Sequence, residues 1–147
     1  MIVLSVGMPR AGSGWYYNLI HDLVMTDGGE DARSIRKEYH LENILTEVNC
    51  NISALTLRRV GRVLPAVWQG KTFTIKAHSG PTLVSDIVAA LGWMRISYIY
   101  RDPRDALLSA MDFGKRTLEQ GKPNAFSHLT DLDKAIRFML HYCHIWE

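Results

Sequence analysis

What most constrains the fold is an apolar strand that runs straight into a glycine-rich loop, followed by a regular alternation of strand and helix patterns. Residues 2–6 form a short apolar run suited to a strand buried on both faces. GMPRAGSGW occupies residues 7–15, and from Ser13 to about Met25 the side chains of Trp15, Leu19, Leu23 and Val24 recur at helical spacings. Asp27, Gly28 and Gly29 break that pattern. Charged and apolar residues then mix from Ala32 to Leu64, as one or two helices would. KTFTIK over residues 71–76 alternates and is rich in strand formers, which predicts a second strand ending at Ala77 and His78.

Thr82 to Leu91 predicts a helix with Leu83, Ile87 and Leu91 on one face, Pro81 near its first turn and Gly92 as its C-cap. Met94 to Tyr100 reads as a third strand and Pro103 to Arg116 as the next helix. Gly114 to Ser127, with Gly121, Pro123 and Asn124, reads as a loop able to cover a site. Asp131 to Trp146 reads as a final amphipathic helix striped by Leu132, Ile136, Met139, Leu140 and Cys143. The 147 residues therefore predict one α/β domain, a three-layer α/β/α arrangement around a mostly parallel central sheet with right-handed crossovers. Ligands of such sheets bind beyond the carboxyl ends of the strands.

Composition narrows the function classes. Seventeen basic against fifteen acidic side chains give a net charge of +2, too small to argue for nucleic acid as the partner. Arg58, Arg59 and Arg62 form a small basic cluster with no interleaved aromatic platform, which reads as a solvated helix face. No run reaches the ~18 apolar residues of a membrane span. Residues 1–7 lack the basic flank and longer apolar region of a secretory signal, so the match of residues 51–53 to a glycosylation acceptor is read as accidental. Cys50 and Cys143 show neither metal-ligand spacing nor a disulfide framework and read as reduced thiols of a cytoplasmic protein.

The loop itself predicts an anion site. A strand running through glycines into a helix N-terminus gathers unpaired backbone N–H groups at one point, and these favour negative charge. Gly7 and Gly12 have the spacing of the general P-loop, yet Ser13 and Gly14 stand where that motif has Lys and then Ser or Thr. Without a lysine for the β/γ-phosphates and a hydroxyl for Mg²⁺, ATP or GTP hydrolysis is disfavoured. The positive charge is Arg10, whose fork of donors suits phosphate or sulfonate oxygens and can lie over a transferring group. The alternative is a plain tight turn with Arg10 solvated. Trp15 is either core or an exposed ring able to stack on a purine.

With these residues in view, the sequence resembles the sulfotransferases that use 3'-phosphoadenosine 5'-phosphosulfate (PAPS) and release 3'-phosphoadenosine 5'-phosphate (PAP). PRAGSGW over residues 9–15 is similar to the family's P-K-S-G-T-T-W type loop, with Arg10 on the family lysine and Ser13 on the first threonine, whereas Gly14 departs from the second. YIYRDPRDALLS over residues 98–109 resembles the family's strand-to-helix signature, in which an Arg and a Ser eight residues later bind the 3'-phosphate. The resemblance gives those roles to Arg101 and Ser109, and leaves Asp102, Arg104 and Asp105 as capping and ion-pair residues. Residues 76–78, Lys76, Ala77 and His78, resemble the family's K-T-H segment.

The resemblance implies a fold like that of the P-loop nucleoside-triphosphate hydrolases and in-line transfer of a sulfonate from PAPS to an acceptor hydroxyl or amine. It implies His78 as the base toward the acceptor, Lys76 and Arg10 as catalytic cations, and Arg10, Ala11, Gly12, Ser13, Gly14, Trp15, Arg101 and Ser109 as the donor-binding set, with no metal required. A downstream R-K-G-x-x-G type segment is not in the sequence, so a short or truncated member, the nucleotide-binding half of such a domain, is expected. The acceptor is expected to be a small molecule or peptide, contacted by the 27–70 and 114–130 segments through residues such as Tyr39, Trp68, Phe113 and Phe126. The final helix, with Tyr142, Ile145 and Trp146, is a candidate face for a second copy of the chain. Two other functions fit less fully: a non-catalytic PAP- or PAPS-binding module, and a P-loop nucleotide kinase.

Overall fold

The computed structural model describes residues 1–145. Three strands, β1 (Ile2–Gly7), β2 (Phe73–Ala77) and β3 (Met94–Ile99), form a parallel sheet in the order β2-β1-β3. Six helices accompany them among the described residues: α1 (Ser13–Thr26), α2 (Ala32–Glu38), α3 (Leu57–Trp68), α4 (Leu83–Ala90), α5 (Pro103–Glu119) and α6 (Leu132–Ile145). The chain is thus α/β with a parallel sheet. Trp146, expected at the end of the last helix, lies outside the described residues.

Residues 1–7 and 13–99 make one compact unit, and residues 8–12 and 100–147 make a second. In unit 1 the register pairs Ser5 with Lys76 on one side and with Ser97 on the other. Because strand side chains alternate, Ile2, Leu4 and Val6 share a face with Phe73, Ile75 and Ala77, an apolar surface that is fully buried. The opposite face carries Ser5, Thr74 and Lys76, all buried as well. One face of the sheet is therefore built to hold polar groups out of water. β2 is paired on its other edge by an isolated parallel bridge between Asn51 and Lys76.

Local chemistry explains the helix boundaries. Asp31, Thr56, Thr82 and Asp102 each accept a backbone N–H of the first turn they precede, and Thr82 with Ser85 completes a reciprocal capping box. Pro81 falls just before that cap, outside α4, and Gly92 follows α4 with φ +74°, the left-handed conformation a helix stop requires.

In unit 2, α5 and α6 pack through Ala106, Leu107, Ala110, Ala135 and Met139, and Met8 and Ala11 belong to the same core. The expectation of a loop from Gly114 is corrected here, since α5 continues to Glu119. Gly114 sits inside the helix because the Phe126 carbonyl closes off the place its Cβ would take. The glycine marks a close approach of backbone, and the loop proper begins after α5.

The helix stripes lie on helices as expected, but much of each is open to solvent. Trp15, Leu19 and Leu23 of α1 are exposed, as are Leu83, Ile87 and Leu91 along α4, and the buried positions are Ser13 and Tyr17 in α1 and Ser85 and Val88 in α4. In α6, Leu132, Ile136 and Leu140 are exposed and Ala135 and Met139 carry the contact. β3 is the last strand of the described sheet on its side, with Ile96 and Tyr98 exposed, so the sheet is not covered throughout on both faces.

Candidate functional site

In unit 1 the sheet's polar face ends, at the carboxyl end of β2, in a lysine and a histidine. Lys76 is 6% exposed and forms no ion pair with a carboxylate among the described residues. Its Nζ lies 3.0 Å from His78 Nε2, and His78 Nδ1 lies 2.7 Å from the Gly7 carbonyl oxygen, at the last residue of β1. A carbonyl can only accept, so Nδ1 carries the proton and Nε2 presents a lone pair, to which Lys76 donates. Burial pushes the Lys76 ammonium below its ordinary pKa. Burial, and secondly the charge of Lys76, push His78 below the ordinary histidine value against the opposing effect of the Gly7 hydrogen bond. The pair is a neutral imidazole of fixed tautomer beside a cation without a counter-ion.

The remaining unit 1 candidates surround the start of α1. No acidic side chain occupies the first turn of that helix, so the positive end of its dipole is not offset from within. Ser13 is buried, Trp15 is 67% exposed, and a Cβ on Gly14 would meet nothing within 4 Å. Elsewhere in unit 1, Ser5 Oγ, Thr74 Oγ1 and Ser79 Oγ are buried without a hydrogen-bond partner among the described residues.

In unit 2 the structure brings together two residues that are 99 positions apart: Arg10 Nε donates to Ser109 Oγ at 3.2 Å. The Arg10 guanidinium also lies over the Phe113 ring, 4.4 Å from its centroid. Its backbone has φ +66°, an unusual conformation for a residue with a side chain, and Gly12 follows at φ +88°. Burial, then the charges of Arg116 and Arg101, depress the Arg10 pKa. Arg101 reaches Asp105 at 3.6 Å, while Asp102 caps α5 and is held by Arg104 at 2.6 Å, which lowers its carboxyl to about 2. Ala11 turns its side chain into the unit 2 core, so only its backbone is left to face a ligand.

No family model, no curated protein and no solved structure matches the chain.

Of the residues expected at an acceptor, Tyr39 donates to Gln69 Oε1 at 2.5 Å and Trp68 packs edge-on to Trp93 in unit 1, whereas Phe113 and Phe126 pack ring to ring in unit 2. Cys50 is buried, Cys143 is half-buried, and both are free thiols. Among the described residues no helix is long and apolar enough to cross a membrane. Sequence reasoning passed over Arg116 and the role of Phe113. The signal was present in the spacing, because Ser109, Phe113 and Arg116 stand at i, i+4 and i+7 on one face of α5.

Proposed function

We propose that the chain is a sulfotransferase that moves a sulfonate from PAPS to the hydroxyl or amine of a small-molecule or peptide acceptor, on a three-layer α/β/α fold of the P-loop class. The observation that carries the reading is the unit 1 trio of Lys76, His78 and the Gly7 carbonyl. Transfer forms an acceptor–sulfur bond, breaks the bond from sulfur to the 5'-phosphate oxygen, and needs one base for the acceptor proton and one cation for the leaving charge. His78 Nε2 is the base, already in the right tautomer, and the proton ends on it. Lys76 is the cation. When an anion takes its N–H donors, Nε2 is released toward the acceptor, so donor binding and base activation are coupled in one side chain.

Unit 1 would also supply the first-turn amides of α1 for the donor's 5' end and the exposed Trp15 ring for adenine. The resemblance gives the 3'-phosphate to Arg101 and Ser109, an Arg and a hydroxyl able to hold one phosphate. The same reading takes the two free thiols as those of a cytoplasmic protein.

A second reading, a module that binds PAP or PAPS without turnover, is favoured by Gly14, where the hydroxyl of the resembling loop is missing. The deciding experiment is calorimetric titration with PAP and with ATP-Mg. Tight PAP binding, weak ATP-Mg binding and a loss of at least about tenfold in R101A are expected. Absence of PAP binding sinks the donor assignment, and PAP binding without transfer to any acceptor leaves the second reading.

A further inference from the structure

Arg10 is the one cation in the glycine-rich loop, and its surroundings in unit 2 assign it a task beyond that of a loop donor. Its Nε is taken by Ser109 and its flat face by Phe113, so the guanidinium is fixed in orientation while its two terminal amino groups make no hydrogen bond to the described residues. The charges that reach it are Arg116 and Arg101, both like its own, and neither Arg10 nor Arg116 forms an ion pair among the described residues. Of the neighbouring acids, Asp105 is at the distant limit of an ion pair with Arg101 and Asp102 is neutralised by Arg104. Like charges gathered in this way, two of the three without an ion-pair partner among the described residues and one of them on a left-handed backbone, are unfavourable by themselves and become favourable around a multiply charged anion.

We propose that Arg116 completes, with Arg10 and Arg101, a three-guanidinium site on unit 2 for a phosphate dianion, and that Phe113 and Ser109 are the positioning residues that hold Arg10 in it. The ligand is a phosphomonoester, and the proposal rests on the reading above in taking that phosphate as the 3'-phosphate of the sulfonate donor. The positioning is economical because Ser109, Phe113 and Arg116 share one face of α5, so a single helix sets both Arg10 and its partner cation. Phe113 supplies a surface against which a planar guanidinium can stack without losing its donors, a task that a lysine at position 10 could not exploit in the same way.

The test uses the full chain with two probes, PAP and inorganic phosphate, titrated at low salt by calorimetry. R116Q should weaken both probes by at least about tenfold, the loss of one charge-assisted contact. F113L should weaken them several-fold while leaving every cation in place. K115Q removes the same charge one residue away, where Lys115 lines a different hollow with Met111 and Leu118, and should change neither. Equal effects of R116Q and K115Q, no effect of R116Q, or no binding of either probe by the wild-type chain would overturn the site. Phosphate binding that depends on Arg116 but is not improved by the adenosine of PAP would keep the site and remove the donor reading.

Discussion

At the candidate site unit 1 places one buried cation, Lys76, with no carboxylate partner among the described residues, while unit 2 gathers several guanidiniums that are half-exposed or exposed. Lys76 is shielded by the sheet and answered only by an imidazole nitrogen, so its protonation and that of His78 depend on each other. A guanidinium keeps its charge far more firmly than an ammonium, and the contacts of Arg10 with Ser109 and Phe113 set where its charge points. Under the proposed function, the difference would separate two jobs that anion transfer requires. A group that must give and take a proton is placed where burial can tune it. Groups that must only hold charge are left near water, where keeping them ionised costs little.

The largest effect that could break this division is on rate. H78N keeps an amide that can hydrogen-bond to the Gly7 carbonyl but has no basic nitrogen, and is expected to reduce transfer by about 10²–10⁴-fold with PAP binding little changed. The wild-type rate should fall on acidification with a midpoint below the ordinary histidine value of 6.5, since burial and Lys76 both disfavour the imidazolium. A midpoint above 6.5, or equal loss of PAP binding in H78N, would place His78 among the structural residues instead.

Next in size is a packing effect confined to unit 2. Replacing a helix-interior glycine by alanine ordinarily stabilises by about 1 kcal/mol. At Gly114 the sign should reverse, with a loss of about 1–3 kcal/mol, because the new methyl meets the Phe126 carbonyl and neither backbone can yield cheaply. Chemical denaturation of G114A reads this directly, and a stabilised variant would show that the approach of residues 126–127 to α5 is loose.

Gly114 also illustrates what could be read in advance. The strands, the start of α1 and the caps at Thr82 and Asp102 follow from local rules, and Lys76 and His78 stand two apart at a strand end, so a shared face was legible from the spacing. Gly114 was misread because a glycine in a helix and a glycine in a loop look alike until the segment that crosses it is known. The stripes of α1, α4 and α6 were legible as periodic patterns, but periodicity does not say what covers them, and Leu83, Ile87 and Leu91 face solvent. The Asn51 to Lys76 bridge and the Arg10 to Ser109 hydrogen bond join residues far apart in the chain, for which no spacing rule exists.

The smallest predicted effect is the sharpest for the comparison, because its sign opposes intuition. Lys76 to Met keeps the length of the side chain and removes an ammonium held out of water with no carboxylate beside it. A buried charge of this kind costs stability, so K76M should unfold at equal or higher denaturant at neutral pH, by about 1 kcal/mol, while losing transfer. The pH dependence should change with it. In the wild type the unfolded chain takes up a proton on His78 below 6.5 that the folded chain refuses, so the folded state loses stability as pH falls from 6.5 through the lower folded value. Removing Lys76 removes one of the two causes of that depression, and the slope of stability between pH 7.5 and 5.5 should become shallower. A K76M protein weakened by 2 kcal/mol or more with an unchanged slope would mean that Lys76 supports the sheet, and the contrast between a tuned cation in unit 1 and fixed cations in unit 2 would not hold.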